Sequence, residues 1–298
     1  MKYHFTLVDV FTDKPFSGNQ LAVFTKPAGL STPQMQKIAK EFNFSETTFV
    51  FPPESKGADY RVRIFTPHKE LPMAGHPTIG TAFVLSKQEG GRRSRLRFEE
   101  GIGIIPITIQ FGDGGPGWIG MSQPLPKFGP TFKERLRIAE MLSIKESAIV
   151  ADLPLEVVSC GVPFLFVPVA DLRSVQGIVF KLDVWEEALR GKPYDNVFVF
   201  TREVESKDSF VHSRMFGPGV GVNEDPATGS ASGPLGCYLV KNGVLRPSPR
   251  VEFVSEQGLE MGRPSKIRVA IGANSRGRIT EVLVSGRSCR VGEGVIEV

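Results

Sequence analysis

A histidine and an aspartate occupy the same place in two related stretches of this sequence, and both can take part in proton chemistry. The first stretch, Arg63-Ile64-Phe65-Thr66-Pro67, runs on to Gly75-His76-Pro77-Thr78-Ile79-Gly80-Thr81-Ala82. The second, Arg214-Met215-Phe216-Gly217-Pro218, runs on to Glu224-Asp225-Pro226-Ala227-Thr228-Gly229-Ser230-Ala231. Each copy reads R-[IM]-F-x-P, an irregular loop, a polar pair, then P-x-x-G-[TS]-A. Imidazole titrates near neutral pH, so His76 is suited to give or accept a proton. Proline is pre-organised for the first helical position, which predicts His76 and Asp225 as N-caps of two helices. Unpaired amides at such helix starts favour an anion, here a small carboxylate. Gly75, Gly80, Gly229 and Ser230 would let another group approach the backbone closely. Asp225 alone reads as an ordinary cap, stabilising its helix by about 1 kcal/mol. Glu46 alone, in Ser45-Glu46-Thr47-Thr48-Phe49, reads as a turn residue, as does Glu70. The coincidence of two proton-active groups at one place in two copies favours chemistry over capping.

Elements must hold these groups in place. Tyr3–Val10, Leu21–Thr25, Thr47–Phe51, Tyr60–Thr66, Arg95–Glu99, Ile104–Phe111 and Trp118–Met121 read as strands bounded by turn residues. Leu155–Ser159, Leu165–Val169, Asn196–Thr201, Phe210–Phe216, Val251–Ser255 and Ser265–Ala270 form a second series. Ser31–Phe42 reads as an amphipathic helix capped by Ser31, and Phe132–Leu142 and Val184–Arg190 read as further helices. Pro77–Ser86 and Pro226–Val240 differ from these in being small and apolar on every face, which predicts burial on all sides. A helix buried amid strands implies a barrel-like sheet wrapped around it. The repeat therefore predicts two pseudo-symmetric halves with a cleft facing His76 and Asp225. Gln123–Pro130 reads as the linker, and the last strands, Glu281–Gly286 and Gly294–Val298, as returning to the first half.

Composition sets outer bounds. The chain has 298 residues, 41% hydrophobic and 23% charged, enough for two folded domains and against disorder. The net charge of +4 would help attract an anionic metabolite but is too small for a nucleic-acid partner. The cluster Arg92-Arg93-Ser94-Arg95-Leu96-Arg97 reads as a solvated strand face, and Gly112-Asp113-Gly114-Gly115-Pro116-Gly117 as a hairpin turn. Three cysteines (Cys160, Cys237, Cys289) and four histidines show neither disulfide nor metal spacing, so no metal is expected. No apolar run approaches the length of a membrane span, and the N-terminus does not read as a signal peptide. The expectation is a cytoplasmic protein with no membrane partner.

Taken together, Ser17-Gly18-Asn19, Ser45-Glu46-Thr47-Thr48-Phe49, Glu70-Leu71-Pro72-Met73-Ala74-Gly75-His76-Pro77 and Glu224-Asp225-Pro226-Ala227-Thr228-Gly229-Ser230-Ala231 resemble the PhzF family of phenazine-biosynthesis isomerases. Met121-Ser122-Gln123-Pro124 and Glu260-Met261-Gly262-Arg263-Pro264-Ser265 extend the likeness over essentially the whole chain. The resemblance implies an α+β, diaminopimelate-epimerase-like fold of two similar domains, each a mostly antiparallel barrel-like sheet around a central helix. Residues 1–122, completed by 286–298, would form one domain and 123–285 the other. It also implies a cofactor-free isomerase, usually a homodimer, acting on a small carboxylate such as a dihydro-hydroxyanthranilate. By position Glu46 matches the carboxylate that moves the proton. His76 and Asp225 match the polar partners that orient the substrate. Asn19, Ser45, Gly75, Gly229 and Ser230 match substrate-binding positions.

Two other readings compete. Related epimerases use two cysteines, one at each helix start, whereas Ala74 precedes Gly75 here and Pro226-Ala227 has no thiol. A racemase of a small acid would thus lack its bases, and a single carboxylate serves a same-face proton shift better than an inversion. A non-catalytic binding protein that keeps the fold is the remaining alternative, against which Glu46, His76 and Asp225 stand together.

Overall fold

The central strands of this protein, such as Asn19–Phe24, Pro163–Pro168 and Val197–Thr201, are apolar on both faces because helices cover them. The computed structural model describes residues 1–91, 93–112, 115–247 and 249–298. Arg92 of the basic cluster, and Asp113 and Gly114 of the glycine-rich turn, lie outside the described residues. By its contacts the chain divides into two compact units, Met1–Gln123 with Leu283–Val298, and Pro124–Val282. The architecture is mixed, mostly strands with six α-helices among the described residues.

In the first unit Lys2–Val10 lies between Asn19–Phe24 and Ser288–Glu297, antiparallel to both. Asn19–Phe24 pairs parallel with Glu46–Phe51, which pairs antiparallel with Tyr60–Phe65. Arg95–Glu100 adds parallel to Tyr60–Phe65, followed by the antiparallel strands Gly103–Gly112 and Gly115–Ser122. These last two pair antiparallel with Gly112 opposite Gly115, so Gly115, Pro116 and Gly117 of the expected turn belong to the strand. Along Arg95–Glu100, Leu96 and Phe98 are buried while Arg95 and Arg97 face solvent, as a strand with one wet face requires.

Helix α1 (Thr32–Phe42) covers one face of this sheet, packing Met35, Ile38 and Ala39 against Tyr3, Ala22, Phe24, Phe49 and Phe65. Its start is closed by the Gln34 carboxamide, which accepts hydrogen bonds from the Ser31 amide (2.9 Å) and hydroxyl (2.8 Å). Helix α2 (Gly75–Gln88) packs on Lys2–Val10, Asn19–Phe24, Glu46–Phe51 and Gly115–Ser122. Every residue from Gly75 to Ser86 is buried, as the all-round apolar pattern predicts. Glycine at position 80 is required by that packing. A Cβ there would fall 2.6 Å from Leu21 Cδ2 and 2.7 Å from Val10 Cγ2. The close-approaching group expected at Gly80 is therefore the core itself, not a ligand.

The second unit runs from Lys127–Phe132, antiparallel to Leu155–Ser159, through Pro163–Pro168, Val197–Thr201 and Val211–Gly217 to Arg250–Gln257 and Ser265–Ala273. Helices α3 (Arg135–Leu142), α4 (Leu172–Gln176) and α5 (Leu182–Ala188) cover one face with Ile138, Leu142, Val175 and Trp185. Helix α6 (Gly229–Lys241) is buried from Gly229 to Leu239 and packs on Leu155–Ser159, Pro163–Pro168 and Ser265–Ala273. Here Gly236 plays the part of Gly80, since a Cβ would meet Ile271 at 2.8 Å.

One reading of the sequence needs correction here. Lys127–Phe132, expected in the linker and in the start of a helix, is a strand, because Leu155–Ser159 offers it a partner edge. No helix among the described residues is long and apolar enough to cross a membrane.

Candidate active site

Three of the expected residues meet in the first unit, and short-range pairing brings them there. Asn19 opens its strand, Glu46 opens the neighbouring parallel strand opposite Leu21, and His76 is the second residue of α2. The Asn19 carboxamide nitrogen lies 3.0 Å from His76 Nδ1, and His76 Nε2 lies 3.4 Å from Glu46 Oε2. Asn19 and His76 are almost wholly buried, and the Glu46 side chain keeps 12% exposure. Burial drives the His76 imidazole down to about pKa 3, against a smaller opposing hydrogen bond with the Gln20 backbone. The ring is therefore neutral at physiological pH, with one nitrogen carrying hydrogen and the other a lone pair. Ser45, half-buried, precedes Glu46, and Gly75 is the first residue of α2.

His76 is not an N-cap. Ala74 takes that place with extended backbone (φ −150°, ψ 153°), and Pro77 is the third helical residue. Alanine offers no side-chain acceptor, so the N-cap residue does not cap the first amides of α2 with its side chain.

The second unit holds the other expected residues, with a different helix start. Asp225 ends the short strand Val222–Asp225, and α6 begins four residues later at Gly229 with Thr228 as N-cap. The expectation of Asp225 as N-cap is thus overturned by a long-range clamp. Gln257 accepts from the Thr228 amide (3.0 Å) and donates to the Asp225 carbonyl (2.7 Å) and Thr228 hydroxyl (2.9 Å). That clamp holds residues 225–228 off the helix. Thr228 in turn donates its hydroxyl to Asp225 Oδ2 at 2.6 Å. Gly229 and Ser230 are the first two residues of α6, and Ser230 keeps 8% exposure.

The two motif copies share a further local arrangement. Arg63 donates Nε and Nη2 to Glu70 at 2.8 and 2.6 Å, and its guanidinium lies 5.1 Å from the Phe65 ring centroid. Arg214 donates Nε and Nη2 to Glu224 at 2.7 and 2.8 Å, and lies 5.1 Å from the Phe216 centroid. Glu70, read as a turn residue, is the fork-shaped acceptor for Arg63.

A family model described as phenazine biosynthesis-like protein matches residues 8–294. The chain belongs to the PhzF family. It is 36% identical to trans-2,3-dihydro-3-hydroxyanthranilate isomerase of Pseudomonas aeruginosa over 296 residues, covering 98% of each chain. A PhzF-family crystal structure from Bacillus anthracis superposes with a TM-score of 0.90 at 27% identity, covering both chains fully. A hydroxyproline epimerase from Agrobacterium vitis shares the fold alone, at TM-score 0.67 and 12% identity over 99% of this chain and 92% of that one. As a PhzF protein with relatives named as isomerases, the chain is an isomerase.

PhzF membership leaves the cysteines to be placed. Cys160 and Cys237, remote in sequence, lie with sulfurs 3.9 Å apart in the second unit, both buried. The neighbouring thiol and burial push the Cys160 pKa up, which disfavours its thiolate. Two bases flanking one carbon need roughly 6–7 Å between them, at about 3–3.5 Å from each to the carbon. This pair is too close to act as an epimerase dyad. What sequence reasoning missed is the support around the site. Gln257, Thr228, Thr78 and Glu100 are ordinary polar residues whose roles arise from contacts across the fold.

Proposed function

We propose that this isomerase moves a proton and a double bond within a small carboxylate-bearing metabolite of the trans-2,3-dihydro-3-hydroxyanthranilate type, with Glu46 as acid and base. The observation that carries the reading is the line Asn19–His76–Glu46. The Asn19 carboxamide beside Nδ1 anchors the ring with Nε2 turned to the Glu46 carboxylate, 3.4 Å away. A neutral imidazole so held orients the base without protonating it. Glu46 takes a proton from a carbon activated by the adjoining double bond, electrons shift along the conjugated system, and Glu46 returns the proton to the far carbon. Every bond broken is matched by one formed, so the step needs no redox partner. Asp225, fixed by Thr228 and Gln257, is assigned to substrate orientation, with Asn19 and Ser45 as further contacts. Gly75, Gly229 and Ser230 are assigned to the substrate carboxylate. The shared Arg–Glu–Phe arrangement supports a pseudo-symmetric origin for the two halves, each built around its buried helix.

The direct test is to incubate the protein with trans-2,3-dihydro-3-hydroxyanthranilate in deuterated water and follow isomerisation by NMR. Product formation is expected, with deuterium at the receiving carbon to the extent that the Glu46 proton exchanges. No turnover of this compound would reject the substrate class.

Ser230→Ala tests the carboxylate subsite. A hydrogen bond to a charged group contributes about 1.5–3 kcal/mol, so anthranilate should bind at least about tenfold more weakly to the variant. The amide of anthranilate should lose much less. Equal losses for both compounds in titration calorimetry would remove Ser230 from the subsite.

A further inference from the structure

Behind the first turn of α2 lies a buried carboxyl that the proposed chemistry does not use. Glu100, at the end of Arg95–Glu100, is 6% exposed, and its Oε2 has no hydrogen-bond partner among the described residues. Its Oε1 lies 2.6 Å from Thr78 Oγ1, and the same hydroxyl lies 2.7 Å from the Ala74 carbonyl oxygen. A threonine hydroxyl has one hydrogen and cannot donate to both. Were Glu100 ionised, one of these short buried contacts would set two acceptors against each other with no hydrogen between them. The conflict disappears if Thr78 donates to Ala74 and Glu100 carries a proton that it donates to Thr78. Burial acts in the same direction, raising the Glu100 pKa to about 8 against the opposing effect of the Thr78 hydrogen bond.

The contact bears directly on the helix start. Ala74 is the N-cap of α2, and Gly75 and His76 are its first two residues. The turn after Glu100 also packs on the loop leading there. The Ile102 amide donates to the Pro72 carbonyl at 3.2 Å, and a Cβ on Gly101 would fall 2.8 Å from Pro72 Cα.

We propose that Glu100 is a positioning residue: as a neutral carboxylic acid it fixes Thr78 and, through it, the Ala74–His76 start of α2, and its ionisation loosens that start. The consequence for turnover rests on the reading of His76 given above; the positioning itself does not. Charged groups facing this point are few. Gly103–Gly112 carries no titratable residue among those described, and α2 carries His76, held neutral, and Lys87 in its last turn. The titratable residues of Tyr60–Phe65 are engaged elsewhere, Tyr60 with Glu89, Arg61 with Glu54 and Arg63 with Glu70. Glu70 and Glu99 are likewise occupied, by Arg63 and by Ser55. Glu100 is thus the group that titrates at this position as pH rises through about 8.

The test compares wild type with Glu100→Gln, whose carboxamide also donates to Thr78 but cannot ionise. Infrared spectroscopy of the wild type at pH 7 should show a protonated-carboxyl band that is missing from E100Q and that titrates away near pH 8. Amide hydrogen exchange over residues 72–80, corrected for intrinsic rates, should quicken with that titration in wild type and stay level in E100Q. With trans-2,3-dihydro-3-hydroxyanthranilate, wild-type kcat should fall about tenfold per pH unit above the transition while E100Q holds its value. Absence of a Glu100-dependent band at pH 7 would overturn the proposal, and so would a band that titrates with no change in exchange. A protein that fails to turn over this substrate, yet shows the band and the coupled exchange, refutes the substrate assignment and leaves the positioning role standing.

Discussion

Glu46→Gln is expected to reduce turnover by about 10²–10⁴-fold, the usual contribution of a positioned general base. The amide keeps the length and polarity of the carboxylate and remains beside His76 Nε2, so the fold should be undisturbed. What it removes is the capacity to hold the migrating proton. Binding of anthranilate should change by less than the turnover does, which separates loss of chemistry from loss of the site. Stopped-time assays with trans-2,3-dihydro-3-hydroxyanthranilate, alongside urea unfolding of the same preparations, measure both. A variant that unfolds like wild type and still isomerises within about threefold of it would end the assignment of Glu46 as base.

The largest expected effect on stability comes from the second unit. His212 is fully buried, with Nδ1 3.0 Å from Glu256 Oε1 and Nε2 2.8 Å from Glu260 Oε1. Glu256 also accepts the amides of Glu205 (2.6 Å) and Ser206 (3.0 Å), which holds it ionised. A neutral ring has one N–H and cannot serve two carboxylates. Burial pulls the His212 pKa down, but the two glutamates outweigh it and raise it to about 9. Glu256 and Glu260 are depressed in turn: burial raises each, and the His212 hydrogen bond together with the surrounding hydrogen bonds and charges more than reverses it. His212→Gln would leave two buried carboxylates without their cation, a loss of about 3–5 kcal/mol in folding stability. The sign with pH follows from the same shifts. The raised histidine contributes fully below its unfolded value, about 6.5, and its contribution fades as pH climbs through about 9, by up to ~1.4 kcal/mol per unit. The depressed glutamates contribute above their unfolded range and fade in acid. Wild type minus variant, measured by urea unfolding, should be greatest near pH 6 and shrink by pH 9. A difference below about 1 kcal/mol at pH 6 would show that the histidine is not the buried cation described.

The sequence disclosed the parts of this fold that depend on local pattern. Helices α2 and α6 were legible as buried because small apolar residues surround them on every face. Their starts were not legible. Pro77 and Pro226 pointed to the first helical position, yet Pro77 sits third and Pro226 lies outside α6 altogether. The decisive influence on the second is Gln257, about thirty residues downstream, whose carboxamide grips Asp225 and Thr228. No window centred on Pro226 contains it. The strand Lys127–Phe132 escaped notice for a similar reason, since its proline and glycine argue for a loop until Leu155–Ser159 lies alongside. At the site, Asn19, Glu46 and His76 were each named from motifs, but their closeness depends on a parallel strand pairing and a helix start that no spacing encodes. The Cys160–Cys237 contact had no signal at all.

Lys2–Val10 is made well before Ser288–Glu297, one of its two strand neighbours. At a ribosomal pace of about 5–20 residues per second, the wait between Val10 and its partner Ser288 is roughly 15–55 s. During that interval Pro124–Val282 is complete as a continuous stretch and free to fold, while the unit begun earlier keeps a bare strand edge. Biogenesis should therefore run in inverse order, with the later-made unit maturing first and the earlier-made one sealed by the closing strand. Ribosome-stalled chains ending near residue 282 should resist protease across 124–282 yet remain cleavable near the N-terminus.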